Sequence, residues 1–301
     1  MSPVATDPAD ATQERDLAVA CMNRGHALAL QGDEPSLAAA LDAYDEAITR
    51  LRPLVTSSAN PSWANSLGAA LLNRGQLLHR LHGTAQATAA LAAFAEAAGL
   101  LQPCIDAPPG ALASSPWPRR NLSGVLLNRA NLLLDLGHLP AARAAATEAF
   151  ALSAPHERVD VIDADLALKA RRALCDAIGR LIVTEGADQE ALAREASDLV
   201  DAGLALARYW TSRGAGQPRE LALRLFHFGA QLYRFHQPHF LAEFIRENVA
   251  VGDAQLRTLA LAAIDGALAD RPAEFLTIGD PASERRRDSW RELAALRSSL
   301  A

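Results

Sequence analysis

Asparagine and arginine stand side by side at three places in the chain, each time after two apolar residues and before a small one. The three copies span residues 21–25, 71–75 and 126–130, and a leucine follows each small residue three positions later. The asparagine amide offers a donor and an acceptor, so it can hold a peptide backbone whatever the sequence of that peptide. The planar fork of arginine suits paired hydrogen bonds to carboxylates. The repeated pair therefore indicates either a binding surface or a set of contacts between repeated helices.

The three copies mark an internal repeat that resembles the tetratricopeptide repeat (TPR), a helix–turn–helix unit with small and large residues at fixed places. The matching positions are Cys21, Gly25, Leu28, Ala40, Tyr44 and Pro53; Leu71, Gly75, Leu78, Ala90, Phe94 and Pro103; and Leu126, Ala130, Leu133, Ala142, Ala146 and Pro155. The first two units resemble the third with three residues added in the turn between the helices. Two weaker units follow, over residues 168–209 and 225–245.

The resemblance implies an all-α fold, a TPR-like α-α superhelix (solenoid) of about five helix pairs with C-terminal capping helices. It divides the chain into a disordered N-terminus at residues 1–13, a TPR-like repeat domain at 14–250 and capping helices at 251–301. The first two helices are expected over residues 13–30 and 35–51. Pro53 is expected to end the second helix because proline has no amide hydrogen. Asp253 is expected to be the N-cap of the first capping helix.

One departure from the family pattern concerns arginine. Arg24, Arg74 and Arg129 stand where TPR units usually carry leucine. We expect these side chains to pair with carboxylates on the next helix. The candidate partners are Asp42, Glu46, Glu96 and Glu148.

The links between the units are the second departure. Residues 53–66 and 103–122 are rich in proline and serine, and they carry Trp63 and Trp117. A tryptophan in a polar loop often packs back onto the body of the protein, and we expect these two to act as such anchors. A binding role for them is the alternative.

The resemblance also implies a binding groove, because the first helix of each TPR unit lines the concave face where partner peptides bind. The residues placed there by alignment are Asn23, His26, Asn73, Gln76, His79, Arg80, Asn128, Asn131 and Asp135. The Asn–Arg pairs are similar to those of the chaperone-tail clamps of this family, but those clamps add lysines and Lys169 is the only lysine here. The alternative is that the asparagines bond the neighbouring helix and fix the stacking of the repeats.

A second candidate region lies near the C-terminus, where histidines occur among aromatic residues. An aromatic pocket for a small molecule or regulatory ligand would use His227, Tyr233, His236 and His239. Aromatic residues at helical spacing are more often core, and no H-E-x-x-H motif is present, so we predict no metal site. We find no nucleophile elbow, P-loop or dinucleotide fingerprint, and we predict no catalytic residue and no cofactor.

Charge and composition exclude other classes. The net charge of −6 argues against a nucleic-acid partner, and the short basic runs at residues 119–120 and 285–287 are expected to be solvated. The acidic residues between Asp160 and Asp165 are expected to favour a helix N-terminus. We see neither a secretory signal nor an apolar stretch long enough to span a membrane. The three cysteines form no metal or disulfide pattern, which favours a cytoplasmic protein.

These patterns predict a non-enzymatic scaffold or adaptor that binds a protein or peptide partner in its concave groove. The alternatives are a sensor for a small-molecule or regulatory ligand, which would use the C-terminal aromatic and histidine region, and a repeat protein that assembles into a homo-oligomer. An enzyme is the least expected class.

Overall fold

The computed structural model describes residues 8–58, 60–106, 115–182, 184, 188–215, 222–230, 238–249, 253–269 and 281–301, without the side chains of 8–9, 238–240 and 281–287. These residues are almost wholly helical and contain no strand. The helices are α1 (Pro8–Gln31), α2 (Glu34–Ser57), α3 (Pro61–His82), α4 (Ala87–Asp106), α5 (Trp117–Asp135), α6 (Leu139–Ser153), α7 (Val161–Ile182), α8 (Gln189–Thr211), α9 (residues 222–230), α10 (Pro238–Asn248), α11 (Ala254–Ala269) and α12 (Pro281–Leu300).

Contacts between Cα atoms divide the chain into two compact units, Met1–Ala173 and Leu174–Ala301. In the first unit, α1 packs on α2, α3 on α4 and α5 on α6, as consecutive antiparallel pairs. Each pair packs on the next through α2 with α3 and α4 with α5. The predicted all-α arrangement of stacked helix pairs is therefore confirmed. The predicted domain limits at residues 14 and 250 stay predictions.

The second unit is also built from packed helices. Its part of α7 contacts α8 through Ile178 and Ala196, and Phe226 of α9 stacks on Phe244 of α10 with ring centroids 5.1 Å apart. Helices α10, α11 and α12 pack on one another. Asp253 caps α11 as predicted, because its carboxylate accepts hydrogen bonds from the first turn of that helix.

Small residues lie where the helices of a pair touch, as the repeat pattern predicts. A Cβ atom added at Gly25 would lie 3.0 Å from the ring of Tyr44, and one added at Gly75 would lie 2.5 Å from the ring of Phe94. In the third pair the equivalent Ala130 is fully buried. Small size at this place lets a large aromatic side chain from the second helix of the pair fill the space.

Two prolines fail to end their helices. The prediction that Pro53 ends α2 is wrong, since α2 continues to Ser57, and α4 likewise continues beyond Pro103. The next residue in each helix, Leu54 or Cys104, is buried. Burial of these side chains offsets the missing hydrogen bond of the proline near a helix end.

The expected long links are consequently shorter than the sequence suggests. Trp63 lies inside α3 and is half-buried, and Trp117 is the first residue of α5. Trp117 is 52 % exposed. The expectation that Trp117 packs back onto the body as an anchor is therefore wrong, and its ring is available at the surface.

The stretch Pro61–Asp106 contains an 18-residue window that is long and apolar enough to cross a membrane by length and composition alone. The expectation from the sequence that no such stretch exists is therefore wrong. Here it forms α3, a 3₁₀ turn and α4, which pack on each other. Core helices pass the same test, so this finding is weak evidence for a membrane span.

Candidate functional site

The first helices of the three pairs form one layer of the first unit. Helix α3 packs against α1 and α5, the first helices of the other two pairs. The second helices of the pairs, α2, α4 and α6, pack mainly on these first helices. Arg80 of α3 reaches α1, and Leu72 of α3 contacts Gly124 of α5. Gln76 lies four residues from each of these two side chains, so helical geometry places it between α1 and α5. We call this exposed side of α1, α3 and α5 the inner surface.

Three amides of the inner surface have no hydrogen bond with any described residue. They are Asn23 of α1 and Asn73 and Gln76 of α3; Asn23 and Gln76 are exposed and Asn73 is half-buried. His26, one helical turn from Asn23, is also exposed. Their donors and acceptors are open to solvent or to a bound group.

Other predicted groove residues hold the helices together instead. Arg80 donates to the backbone oxygen of Ala29 at 3.2 Å, and His79 Nε2 lies 2.8 Å from Asp135 Oδ2. These contacts join α3 to α1 and to α5. In this part of the predicted groove, side chains therefore bond neighbouring helices.

The three asparagines of the repeated signature therefore do not share one role. Asn128 donates to the backbone oxygen of Gly124 in its own helix. The nearby Asn131 accepts a hydrogen bond from Arg172 of α7 at 3.2 Å. Asn23 and Asn73 remain as the members of the set whose side chains are unbonded among the described residues.

The repeated arginines follow the prediction only in part. Arg24 pairs with Glu46 of its own helix pair at 3.0 Å, as expected. Arg74 pairs with Asp45 of the preceding pair rather than with Glu96, which Arg52 of α2 binds instead.

No partner is found for Arg129 among the described residues. In the pair that precedes Arg129, the residue that corresponds to Asp45 is Ala95, which has no side-chain acceptor. Arg129 is exposed on α5 and forms no ion pair within the described part of the chain.

The alternative ligand region is described only partly. Tyr233 and His236 lie outside the described residues, as does the side chain of His239. His227 is exposed on α9, whereas Phe226 beside it is fully buried against Phe244. The aromatic residues described here thus form core, and no group of three metal-ligating side chains occurs in the described part of the chain.

A buried charge cluster between α5 and α7 was missed by sequence reasoning. Asp163 is 2 % exposed and accepts from both Arg119 and Arg120, with nitrogen–oxygen distances of 2.9–3.2 Å. Arg120 is 9 % exposed and also contacts Asp160 at 2.9 Å. The expectation that Arg119 and Arg120 form a solvated basic run is wrong, because they neutralise a carboxylate in the core.

Beside this cluster lies a cleft of about 470 Å³. It is lined by the ends of α4, α5 and α7, and we call it the α5–α7 cleft. Its lining residues are Cys104, Ile105, Ser115, Pro116, Pro118, Arg119, Arg120, His156, Val159, Asp160 and Asp163. Its volume is in the range of small-ligand sites in proteins.

The charge cluster makes stability depend on pH. Burial alone would raise the pKa of Asp163, but the hydrogen bonds and charges of Arg120 and Arg119 outweigh it and hold this pKa below 3.8. The backbone N–H of Ile162 lowers the pKa of Asp160 in the same way. A carboxyl whose pKa is depressed on folding stabilises the folded state fully above its unfolded pKa, and this contribution disappears as the pH falls through the folded pKa.

We therefore expect the free energy of unfolding to fall steeply below pH 3.8. Asp163→Asn should reduce this slope, because the variant has no carboxyl to protonate at that position. Urea denaturation at a series of pH values between neutrality and strong acid measures the slope. Equal slopes for the wild type and the variant would show that Asp163 has no depressed pKa.

Two of the three cysteine thiols have a raised pKa. Burial raises the pKa of Cys21, with Glu46 adding to the effect, and burial also raises the pKa of Cys104. A raised pKa keeps a thiol protonated near neutral pH, and the protonated form is a poor nucleophile. These two side chains are therefore suited to packing.

Comparison with known proteins identifies no family. No family model and no curated protein sequence matches the chain. Among solved structures, the chain is similar to Nro1, a hypoxic regulator of sterol synthesis described as a nuclear import adaptor, with a TM-score of 0.38 and 9 % identity over 94 % of this chain and 99 % of that one. Similarity at this level supports no inference about the function of this chain.

Proposed function

We propose that this chain is a non-enzymatic, TPR-like scaffold that binds an extended peptide or a helix of a partner protein on its inner surface. The observation that carries the proposal is the set of amides at Asn23, Asn73 and Gln76, which have no hydrogen bond to any residue that the structure describes. Each can donate to a backbone carbonyl and accept from a backbone N–H, so together they can hold a peptide with little dependence on its sequence. The neighbouring contacts of Arg80 and His79 fix the helices that present these amides.

The proposal includes a reducing, cytoplasmic location. Cys21, Cys104 and Cys175 are all free thiols, as is usual for proteins of that compartment. A second copy of the chain is the alternative partner, which would make the protein a homo-oligomer.

Removing two of the unbonded amides tests the proposal. We expect Asn73→Ala with Gln76→Ala to weaken partner binding by about tenfold, since each lost hydrogen bond contributes about 0.5–1.5 kcal/mol. The melting temperature should stay close to that of the wild type, because neither amide has a partner among the described residues. Affinity capture with the wild-type chain supplies the partner, and calorimetry then measures both dissociation constants.

Two matched variants separate binding from stacking. Gln102→Ala removes an exposed amide from α4 and should leave binding unchanged. Asn131→Ala removes the acceptor of Arg172 and should lower the melting temperature. If the double variant binds as tightly as the wild type, the inner surface is not the binding site.

A further inference from the structure

Arg120 and Asp160 each bring to the α5–α7 cleft a polar atom that no described residue bonds. Arg120 binds Asp163 and Asp160 through Nε and Nη2, which leaves Nη1 without a partner among the described residues. Asp160 receives Arg120 and the Ile162 N–H on Oδ1, which leaves Oδ2 without one. Both residues line the cleft. Two residues of the cleft wall that contact each other thus keep an N–H and a carboxylate oxygen for which the described residues supply no partner.

The charges of the cleft cancel. Arg119 and Arg120 supply two positive charges, and Asp160 and Asp163 supply two negative charges. An anion would be attracted by the arginines but repelled by Asp160. A cation would be attracted by Asp160 but repelled by the arginines. A neutral group with a dipole fits this wall better than either ion, and a peptide group has both the acceptor for Arg120 and the donor for Asp160.

Two exposed apolar side chains lie in or next to the lining of the cleft. Val159 lines the cleft and is 78 % exposed. Trp117 is next to the lining residues Pro116 and Pro118 in sequence, and the guanidinium of Arg120 lies 5.6 Å from the centroid of its ring. Exposed side chains of this size beside a cleft are typical of binding sites.

We infer that the α5–α7 cleft binds an apolar side chain of a partner protein together with the peptide group beside it. The apolar side chain contacts Val159 and the prolines, the carbonyl oxygen accepts from Arg120 Nη1, and the N–H donates to Asp160 Oδ2. The site is separate from the inner surface and does not depend on peptide binding there.

A titration of the full chain with N-acetyl-leucine-N′-methylamide tests this assignment. The probe carries one apolar side chain between two neutral amides. With ¹⁵N-labelled tryptophan, the indole N–H signal that disappears in Trp117→Phe should shift and saturate at millimolar probe, as befits a ligand of this size. The signals of Trp63, Trp210 and Trp290 should not move.

Three related probes test whether the cleft recognises the apolar side chain and the two neutral amides of the leucine probe. The glycine analogue lacks the apolar side chain, N-acetyl-leucine carries a negative charge, and leucine-N′-methylamide carries a positive one. Each should bind at least about fivefold more weakly than the neutral leucine probe. Equal binding by the glycine analogue or by either charged probe would overturn the assignment, as would the absence of a saturable Trp117 shift.

Asp160→Asn is the most specific variant. Its Oδ1 atom retains the hydrogen bond from the Ile162 N–H, but an amide nitrogen replaces the open acceptor and the cleft gains net positive charge. The neutral probe should bind at least about threefold more weakly and N-acetyl-leucine more tightly than to the wild type. Asp165→Asn, in the first turns of α7 and paired with Lys169, is the matched control and should change neither affinity.

Val159→Ser provides a second test that does not disturb the ion pairs, because this side chain is largely exposed. It should lower the affinity for the neutral leucine probe by about threefold, because apolar contact is lost, and it should leave the melting temperature unchanged. Wild-type affinity in both Asp160→Asn and Val159→Ser would place the probe elsewhere and overturn the assignment.

Discussion

Asp163→Ala should lower the free energy of unfolding by about 3–5 kcal/mol, because it leaves two arginines without their shared carboxylate. Of their partners in the described part of the chain, Arg120 would keep only Asp160, and Arg119 would keep only the backbone oxygen of Leu152. The lost contacts join α5 to α7, so urea denaturation should show the effect as a lower transition midpoint. The expected cost is large because Asp163 is almost fully buried.

A variant without Arg119, Arg120 and Asp163 separates the cost of the lost contacts from the cost of leaving unpaired charges buried. Arg119→Met, Arg120→Met and Asp163→Leu together should destabilise the chain less than Asp163→Ala alone, since no unpaired charge remains buried. Asp265→Ala breaks an exposed pair with Arg297 and should change the midpoint little. If Asp163→Ala were as mild as Asp265→Ala, the α5–α7 cluster would have to be open to water.

Gly75→Ala should destabilise the chain by about 1–3 kcal/mol, although alanine normally favours a helix over glycine. The new Cβ atom would lie 2.5 Å from the ring of Phe94, so α3 and α4 or the ring itself must move. Gly75→Leu should cost at least as much. Thermal melting followed by circular dichroism measures both variants.

Gly99→Ala is the matched control, because Gly99 lies in α4 and a Cβ atom there meets no other atom within 4 Å. It should stabilise the chain by about 0.5–1 kcal/mol through helix propensity alone. Phe94→Leu in the Gly75→Ala background should cost less than the sum of the single changes, since the two residues contact each other. A stabilised Gly75→Ala variant would contradict the packing of α3 on α4.

Helix pairs could be predicted from this sequence because their signal is local and repeated. The small residues at Gly25 and Gly75 and the aromatic residues at Tyr44 and Phe94 recur at one spacing, and the structure brings each small residue against its aromatic partner. Helix ends were harder to predict. Pro53 is a local signal for a stop, and burial of Leu54 overrides it through contacts that are distant in sequence.

The sequence does contain a pattern that indicates the buried cluster, although these residues look like solvated charges when only their charge is considered. Asp163 precedes the buried Ala167 and Ala170 at helical spacing, and Arg120 likewise precedes the buried Ser123 and Leu127. A charged residue on the apolar stripe of a helix indicates a buried ion pair. Which arginine meets which carboxylate depends on the packing of α5 on α7, and no local pattern contains that information.

The repeated asparagines show the same limit of prediction from local sequence, here at the candidate binding site. Asn73 and Asn128 occupy equivalent positions in their repeats, yet Asn128 is bonded to its own helix and Asn73 is not bonded among the described residues. The difference arises from side-chain rotamers and neighbours, which the repeat pattern does not specify. The sequence predicts which face these residues share, and the structure shows which of them are open to a partner.

A photo-crosslinking amino acid placed at Gln76 tests the inner surface most directly. Illuminated in native cell extract, the full chain with this substitution should form a covalent adduct with one partner protein, and the same amino acid at Gln102 on α4 should not. Digestion of the adduct should place the crosslink in an extended or helical segment of that partner. Adducts of equal yield at both positions, or adducts at Gln102 alone, would contradict partner binding on the inner surface.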